Sequence, residues 1–313
     1  MNVLVTGATG FLGRVLVKKL RSLDMKVFEC NTKNANLLNY KNLEVFDHDT
    51  DVKFDMIFHL AANTKAGDWC VYNSGTQWIT NQLINTNILK FWAERHPFAK
   101  LVAIGTSCSY DPDLPLREDQ YEEGSPEANL YYYAHTKRML LTGLKALHKQ
   151  YHADWLYVVP STLYGPGYDR SDNHFIFDLV RKIYKGKYEG EEVELWGNGE
   201  QKRELIHVND FVELLMKVLY RKNEVINIGR GEELPISVYA KGISNILNYD
   251  ATQIVYNTNK FVGVKSKCLD TTKLKTYVPD FKYTPLEEGL KELIEWEDQQ
   301  YGKKIFTNAV GID

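Results

Sequence analysis

The chain has 313 residues, 44% hydrophobic and 25% charged, with a net charge of −3. That is ordinary for a water-soluble globular protein with room for one large or two smaller domains. It gives no global basic field for nucleic acid, no window near 18 apolar residues for a membrane span, and four scattered cysteines (Cys30, Cys70, Cys108, Cys268) without a CxxC, which argues against a disulfide framework or a zinc site and for a reducing, cytoplasmic location.

The first residues, Asn2–Thr6 (NVLVT), are short, apolar and β-branched, as in a buried parallel strand. The chain enters this strand without a charged n-region and long apolar run, so a secretory leader is not expected. GATGFLGRVLVKKL follows, with Gly7, Gly10 and Gly13 spaced GxxGxxG ahead of a helical pattern of Leu12, Val15, Leu16 and Leu20. Strand, glycine turn and helix N-terminus together form a pyrophosphate cradle. Further strands are expected at Lys26–Glu29, Leu43–Phe46, Met56–Leu60, Leu101–Ile104, Leu156–Val159 and Val225–Gly229. Helices are expected over Trp78–Arg95, Tyr133–Tyr151, Phe175–Tyr184, Phe211–Tyr220, Val238–Leu247 and Pro285–Tyr301. This alternation predicts an α/β fold, a doubly wound parallel (Rossmann) sheet with ligands at the carboxyl ends of its strands. A smaller mixed α/β C-terminal substrate lobe completes it. The dinucleotide-binding domain is assigned to 1–165 plus about 207–232, and the substrate lobe to 166–206 plus about 233–313, including the DTTKLKTYVPDF segment.

The second strand ends in VFECNTKNAN, where NAD sites often carry an acidic residue for the ribose hydroxyls. Here the loop offers Asn31 and Lys33. Lys33, or Arg14 beside the last glycine, suits a 2′-phosphate, which favours NADP(H) over NAD(H). Asp47, after the expected third strand, is a candidate adenine contact.

In NLYYYAHTK, only Tyr133 stands four residues before Lys137, one helical turn away on the same face. A phenol has an ordinary pKa near 10, and an adjacent ammonium lowers it. Such a pair can hand a proton to an alkoxide forming from a ketone. Thr106, after the fourth of these strands, is placed to hydrogen-bond the same oxygen. Tyr131 and Tyr132 are read as packing or substrate contacts.

Taken in order, TGATGFLG, HLAAN, Asn81 and Asn87 in NQLINTN, GTSCSY, YAHTK, LYGP and WGNGEQKRELIHVND resemble the extended short-chain dehydrogenase/reductase family, whose members act on nucleotide-activated sugars. The resemblance implies a catalytic Thr106–Tyr133–Lys137 triad. It implies cofactor contacts from Gly7, Thr9, Gly10, Phe11, Leu12, Leu60, Ala61, Ala62, Asn81, Lys137 and Pro160, with Arg14, Asn31, Lys33 and Asp47 added from the argument above. Substrate contacts are implied from Ser107, Thr162, Asn173, Arg181, Lys182, Trp196 and Arg203, the last gripping the diphosphate with its planar fork.

GTSCSY and the HFIFDLVRK stretch are most similar to members that epimerise a GDP-linked 4-keto sugar at carbons 3 and 5 and then reduce carbon 4. In those members a cysteine and a histidine at the positions of Cys108 and His174 carry the epimerisation. A thiol and an imidazole have ordinary pKa values suited to removing and returning a proton. A reductase acting after a separate epimerase, and a 4-epimerase that retains NAD, are the alternatives. The sequence departs from relatives at Thr162, where many have asparagine, and at Asp111, where proline or glycine is expected. The family also implies a homodimer built on the Trp78–Arg95 and Tyr133–Tyr151 helices.

Overall fold

In the computed structural model the apolar runs and amphipathic stretches resolve into a chain that begins β1 (Asn2–Thr6), α1 (Phe11–Ser22), β2 (Lys26–Cys30), β3 (Met56–His59), α2 (Asp68–Tyr72) and α3 (Ser74–Arg95). It continues with β4 (Lys100–Ile104), α4 (Tyr131–Tyr151), β5 (Trp155–Pro160), β6 (Thr162–Tyr164), α5 (Phe175–Glu189), β7 (Glu194–Trp196), β8 (Lys202–Arg203) and β9 (Leu205–His207). The remainder is α6 (Val208–Val218), β10 (Glu224–Ile228), β11 (Leu234–Pro235), α7 (Ile236–Leu247), β12 (Val255–Asn257), α8 (Thr272–Tyr277) and α9 (Leu286–Ala309). The structure describes residues 1–46, 52–65, 67–170, 174–260 and 262–309, so Asp47 and Asn173 lie outside the described residues. Among these, no helix is long and apolar enough to cross a membrane.

Six strands form a parallel sheet in the order β10-β5-β4-β3-β1-β2. Its side chains alternate between two cores, as pleating requires. Leu4, Leu101, Ala103, Trp155, Tyr157 and Val159 pack under α3 and α4, while Val3, Val5, Val102, Ile104, Leu156 and Val158 pack under α1 and α6. Both faces are covered, which is why these strands read as continuous apolar runs. Fully buried leucines such as Leu16 and Leu20 on α1 each contribute roughly 1.5–3 kcal/mol. The chain reverses direction across the sheet between β1 and β3, so the loops after these two strands open the crevice where such sheets bind ligands.

The expected strand at Leu43–Phe46 is not a strand. Tyr40–Phe46 forms 3-10 turns in which only Leu43 is buried. Asparagine side chains decide this: Asn36, Asn39 and Asn42 hydrogen-bond neighbouring backbone groups and so compete with a sheet ladder. Asn87 and Glu94 on α3 hold the segment through Leu37 carbonyl and Tyr40 hydroxyl. Among the described residues no strand pairs with the outer side of β2, which is the sheet edge.

A separate core joins α5, α7 and α9 through Ile176, Val180, Ile183, Ile243, Leu290 and Leu293. Short pairings fasten it: β6 to β9, β7 to β12 and β8 to β11. The DTTKLKTYVPDF segment, assigned to this lobe from sequence, packs elsewhere. Leu274 of α8 is buried in the core that holds Val3 and Phe211, with Tyr277, Val278 and Phe281 against it. Lys273 is anchored to Glu224 and to the Val225 carbonyl of β10.

Candidate active site

A cleft of about 830 Å³ opens at the carboxyl ends of the strands. Its floor is the turn between β1 and α1. Gly7 has φ +67°, and a Cβ there would lie 2.8 Å from the Ala61 amide nitrogen, so only glycine lets the loops after β1 and β3 touch. A Cβ on Gly13 would lie 2.1 Å from the Gly7 carbonyl oxygen. Two glycines therefore seat α1 directly on the turn. Gly10 caps that helix without a side-chain bond, and its first turn holds no acidic residue. Phe11, Leu12 and Gly13 open onto the cleft, so a helix N-terminus with its partial positive charge faces it. These features fit a dinucleotide pyrophosphate.

A buried network fixes the wall beside this floor. Thr6 and His59 are register neighbours on β1 and β3. The Thr6 hydroxyl accepts the Leu60 and Ala61 N–H groups, each at 3.2 Å, and lies 2.9 Å from His59 Nδ1. Asn85 donates to the Thr136 carbonyl, so its Oδ1, 3.1 Å from His59 Nε2, must accept. The imidazole is thereby assigned as neutral with its proton on Nε2, and Thr6 donates to Nδ1. Burial, with Lys137 adding to it, pushes the His59 pKa down to about 3, against a smaller opposing effect of Asn85. Asn81 works one turn earlier. Its amide exchanges hydrogen bonds with the Asn63 backbone at 2.8 and 3.1 Å, while Gln77 donates to the Asn63 and Lys65 carbonyls. Asn81, expected to touch cofactor, does not line the cleft; it holds the loop that does. The buried amides Gln77, Asn81 and Asn85 recur every four residues along α3. That polar stripe at helical spacing was the available signal for Asn85, which sequence reasoning passed over, while His59 stood in the HLAAN motif without a role of its own.

Thr106, Tyr133 and Lys137 meet on the cleft wall. Thr106 follows β4 and caps the short turn Ser107–Ser109, its hydroxyl accepting the Cys108 N–H at 3.3 Å. Tyr121, buried, receives the Thr106 N–H, and Tyr157 donates to the Lys137 carbonyl at 2.8 Å, so buried phenols brace both ends of the group. The Lys137 ammonium donates to the Ile104 carbonyl at 2.8 Å, and burial pushes its pKa down to about 8. The Tyr133 pKa is not lowered, contrary to the sequence expectation. Burial raises it well above the usual tyrosine range, Cys108 and Tyr121 add to this, and a hydrogen bond with Thr106 offsets only part. Desolvation of the phenolate is the largest cause, and the ammonium one turn away is not among the groups that act on it. The phenol is therefore a neutral proton donor.

Cys108, His174 and Arg203 line the same cleft, as do Thr9, Asn31, Leu60, Ala62, Ser107, Pro160 and Thr162. His174 is the N-cap residue of α5. Other expected contacts are placed elsewhere. Arg14 donates to the Thr9 and Gly167 carbonyls, tying the glycine loop to the turn after β6. Lys33 stands exposed on a turn closed by Asn31 and Asn34. Arg181 reaches the Arg170 carbonyl and lies over the Tyr168 ring. Lys182 pairs with Asp178 at 3.0 Å. Trp196 is exposed, with Lys260 over its ring. Asp111 accepts the Asp113 and Ser125 N–H groups, which accounts for its place in that loop. Glu127 and Lys267, which belong to none of the motifs above, also line the cleft.

The family described as NAD dependent epimerase/dehydratase matches residues 3–229. Among curated proteins, GDP-L-fucose synthase of Dictyostelium discoideum is 25% identical over 318 residues, covering 96% of each chain. GDP-L-colitose synthase of Yersinia pseudotuberculosis is 28% identical over 307 residues, covering 95% of this chain and 97% of its own. A solved GDP-L-fucose synthetase from Naegleria fowleri bound to NADP superposes with a TM-score of 0.84 at 24% identity, covering 96% of this chain and 95% of its own.

Proposed function

Because the chain belongs to the NAD dependent epimerase/dehydratase family, we propose that it is an NADP(H)-dependent oxidoreductase that reduces carbon 4 of a nucleotide-activated 4-keto sugar. GDP is the proposed nucleotide, as in the names of the curated relatives. The observation that carries this reading is one continuous cleft with a glycine-lined helix N-terminus on its floor and Thr106, Tyr133 and Lys137 on its wall.

NADP(H), when bound, supplies the hydride. The choice over NAD(H) rests on the β2 end of the cleft, lined by Asn31, Thr32 and Asn36 with no carboxylate among the described residues. Glu29, the nearest carboxylate in sequence, is paired with Arg21 at 2.6 Å. In reduction, the neutral Tyr133 hydroxyl donates its proton to the oxygen becoming an alkoxide, and Thr106 hydrogen-bonds that oxygen. A tyrosinate then remains in a site that strongly disfavours it, and the Lys137 ammonium is the charge placed to hold it. Arg203 faces the sugar nucleotide's diphosphate. The proposal extends to epimerisation at carbons 3 and 5 before reduction, with Cys108 and His174 exchanging protons with the carbons beside the ketone. It includes a homodimer through α3 and α4, whose Ile79, Leu83 and Met139 are 55%, 44% and 48% exposed.

The test is NADPH oxidation against GDP-, UDP- and dTDP-linked 4-keto sugars in heavy water. Oxidation with a GDP sugar, and deuterium beside carbon 4 in the product, is the expected result. Oxidation without deuterium would leave a reductase alone, and no oxidation with any of the three would refute the proposal.

A further inference from the structure

The first turn of α1 belongs to both halves of the molecule. Leu12 packs against the sheet core that holds Val3 and Phe211, whereas Phe11 packs against the core of α5, α7 and α9. The Phe11 ring meets Phe177 of α5 edge-on, with centroids 5.7 Å apart, and both residues line the cleft. Arg14 ends the same turn. Its planar fork reaches two carbonyls at once: Thr9 in the glycine loop, at 3.0 Å, and Gly167 in the turn after β6.

What Arg14 grips on the far side is firmly packed. Tyr168, the next residue, lies flat on Phe177 with centroids 3.9 Å apart, and its hydroxyl donates to Glu297 of α9 at 2.8 Å. Arg170 reaches the same carboxylate at 2.5 Å, and Glu297 is buried. The turn, α5 and α9 therefore form one piece, and that piece carries His174, Phe175 and Phe177 into the cleft. On the near side, the same first turn of α1 faces the place of the pyrophosphate. A dinucleotide seated there fixes the turn and, with it, the fork of Arg14. The substrate side of the cleft is then already ordered when the sugar nucleotide arrives, so less ordering opposes its binding.

We propose that Arg14 is a positioning residue that couples the two halves of the cleft, so that the dinucleotide and the nucleotide sugar each strengthen binding of the other. This rests on the function proposed above. The coupling runs from α1 through Gly167 and Tyr168 to α5, and linkage requires it to be the same in both directions.

The experiment is calorimetric titration of the full-length protein with GDP, UDP and dTDP, each alone and with saturating NADP+. In the wild type, the diphosphate that binds is expected to do so ~5–10-fold more tightly when NADP+ is present, and NADP+ to gain the same factor from the diphosphate. Arg14→Met is expected to bring both ratios close to one. Arg14→Lys, which can still reach one carbonyl, is expected to give an intermediate ratio. Either affinity alone also responds to a charge lost beside the pyrophosphate; the ratio reads the coupling. If Arg14→Met does not fold, Arg14→Gln carries the same comparison. A ratio near one in the wild type, or the wild-type ratio retained in the neutral variant, overturns the proposal and leaves the reductase reading standing. If none of the three diphosphates binds, with or without NADP+, that reading and the coupling fall together.

Discussion

Replacing Lys137 with methionine separates what the site costs the fold from what it gives the reaction. The ammonium is buried, and its pKa is pushed down to about 8 by desolvation, against an ordinary lysine value of about 10.4. A group whose folded pKa lies below its unfolded one destabilises the fold whenever it is charged in both states. The penalty is complete below about pH 8 and disappears as pH rises from there through the unfolded value. At 1.36 kcal/mol per unit, the penalty is about 3 kcal/mol at pH 7 and about 1.2 kcal/mol at pH 9.5. Methionine fills a similar volume without charge, and it forfeits the bond to the Ile104 carbonyl, worth roughly 1.5–3 kcal/mol for a charged donor. At pH 7 the variant should be as stable as wild type or somewhat more so, and inactive. Measured by urea unfolding, its stability relative to wild type should fall by about 2 kcal/mol between pH 7 and pH 9.5. In the wild type, kcat/KM for ketone reduction should decline above about pH 8 as Lys137 deprotonates, and Lys137→Arg should move that limb upward. A pH-independent difference between the two proteins would refute the argument that burial alone sets the lysine's acidity.

Other outcomes test neighbouring links. Tyr133→Phe should lower ketone reduction by roughly 10²–10⁴-fold, the range for a lost general acid, while NADPH affinity by fluorescence titration stays within a few-fold; turnover near the wild-type rate would mean the acid lies elsewhere. Cys108→Ser should abolish solvent deuterium entry beside the ketone and leave reduction of a pre-epimerised substrate intact, and unchanged deuterium entry would reduce Cys108 to packing. Leu83→Glu places a charge on the exposed apolar face of α3 and should shift the protein toward monomer in light scattering, whereas an unaltered mass would place the dimer contact elsewhere.

The nucleotide end of the site was legible in sequence because its requirements are local. A tight turn against a helix N-terminus needs glycine at fixed offsets, and Gly7, Gly10 and Gly13 declare it. Tyr133 and Lys137 were legible for the same reason, being one helical turn apart. The acidity of that pair was not, because it depends on how much water reaches a phenol, and the walls that exclude water come from β4, β5 and the Tyr121 loop. The contacts of Arg181, Lys182 and Trp196 with Arg170, Asp178 and Lys260 were not legible, because a charged or aromatic residue in a family-like segment says nothing of the direction of its side chain. The strand expected at Leu43–Phe46 failed where asparagine side chains offered the backbone a competing partner.

Periodicity, glycine spacing and strand–helix alternation by themselves determined a parallel nucleotide-binding sheet and the floor of its cleft, since each is set by interactions within a few residues along the chain. Tertiary structure alone decided that Lys267 meets Cys108 and Glu127, that Thr6, His59 and Asn85 close one hydrogen-bond network, and that α8 joins the sheet core rather than the second lobe. Those contacts join residues tens to more than a hundred and fifty positions apart, and burial and charge balance at such contacts exist only once the chain has closed around them.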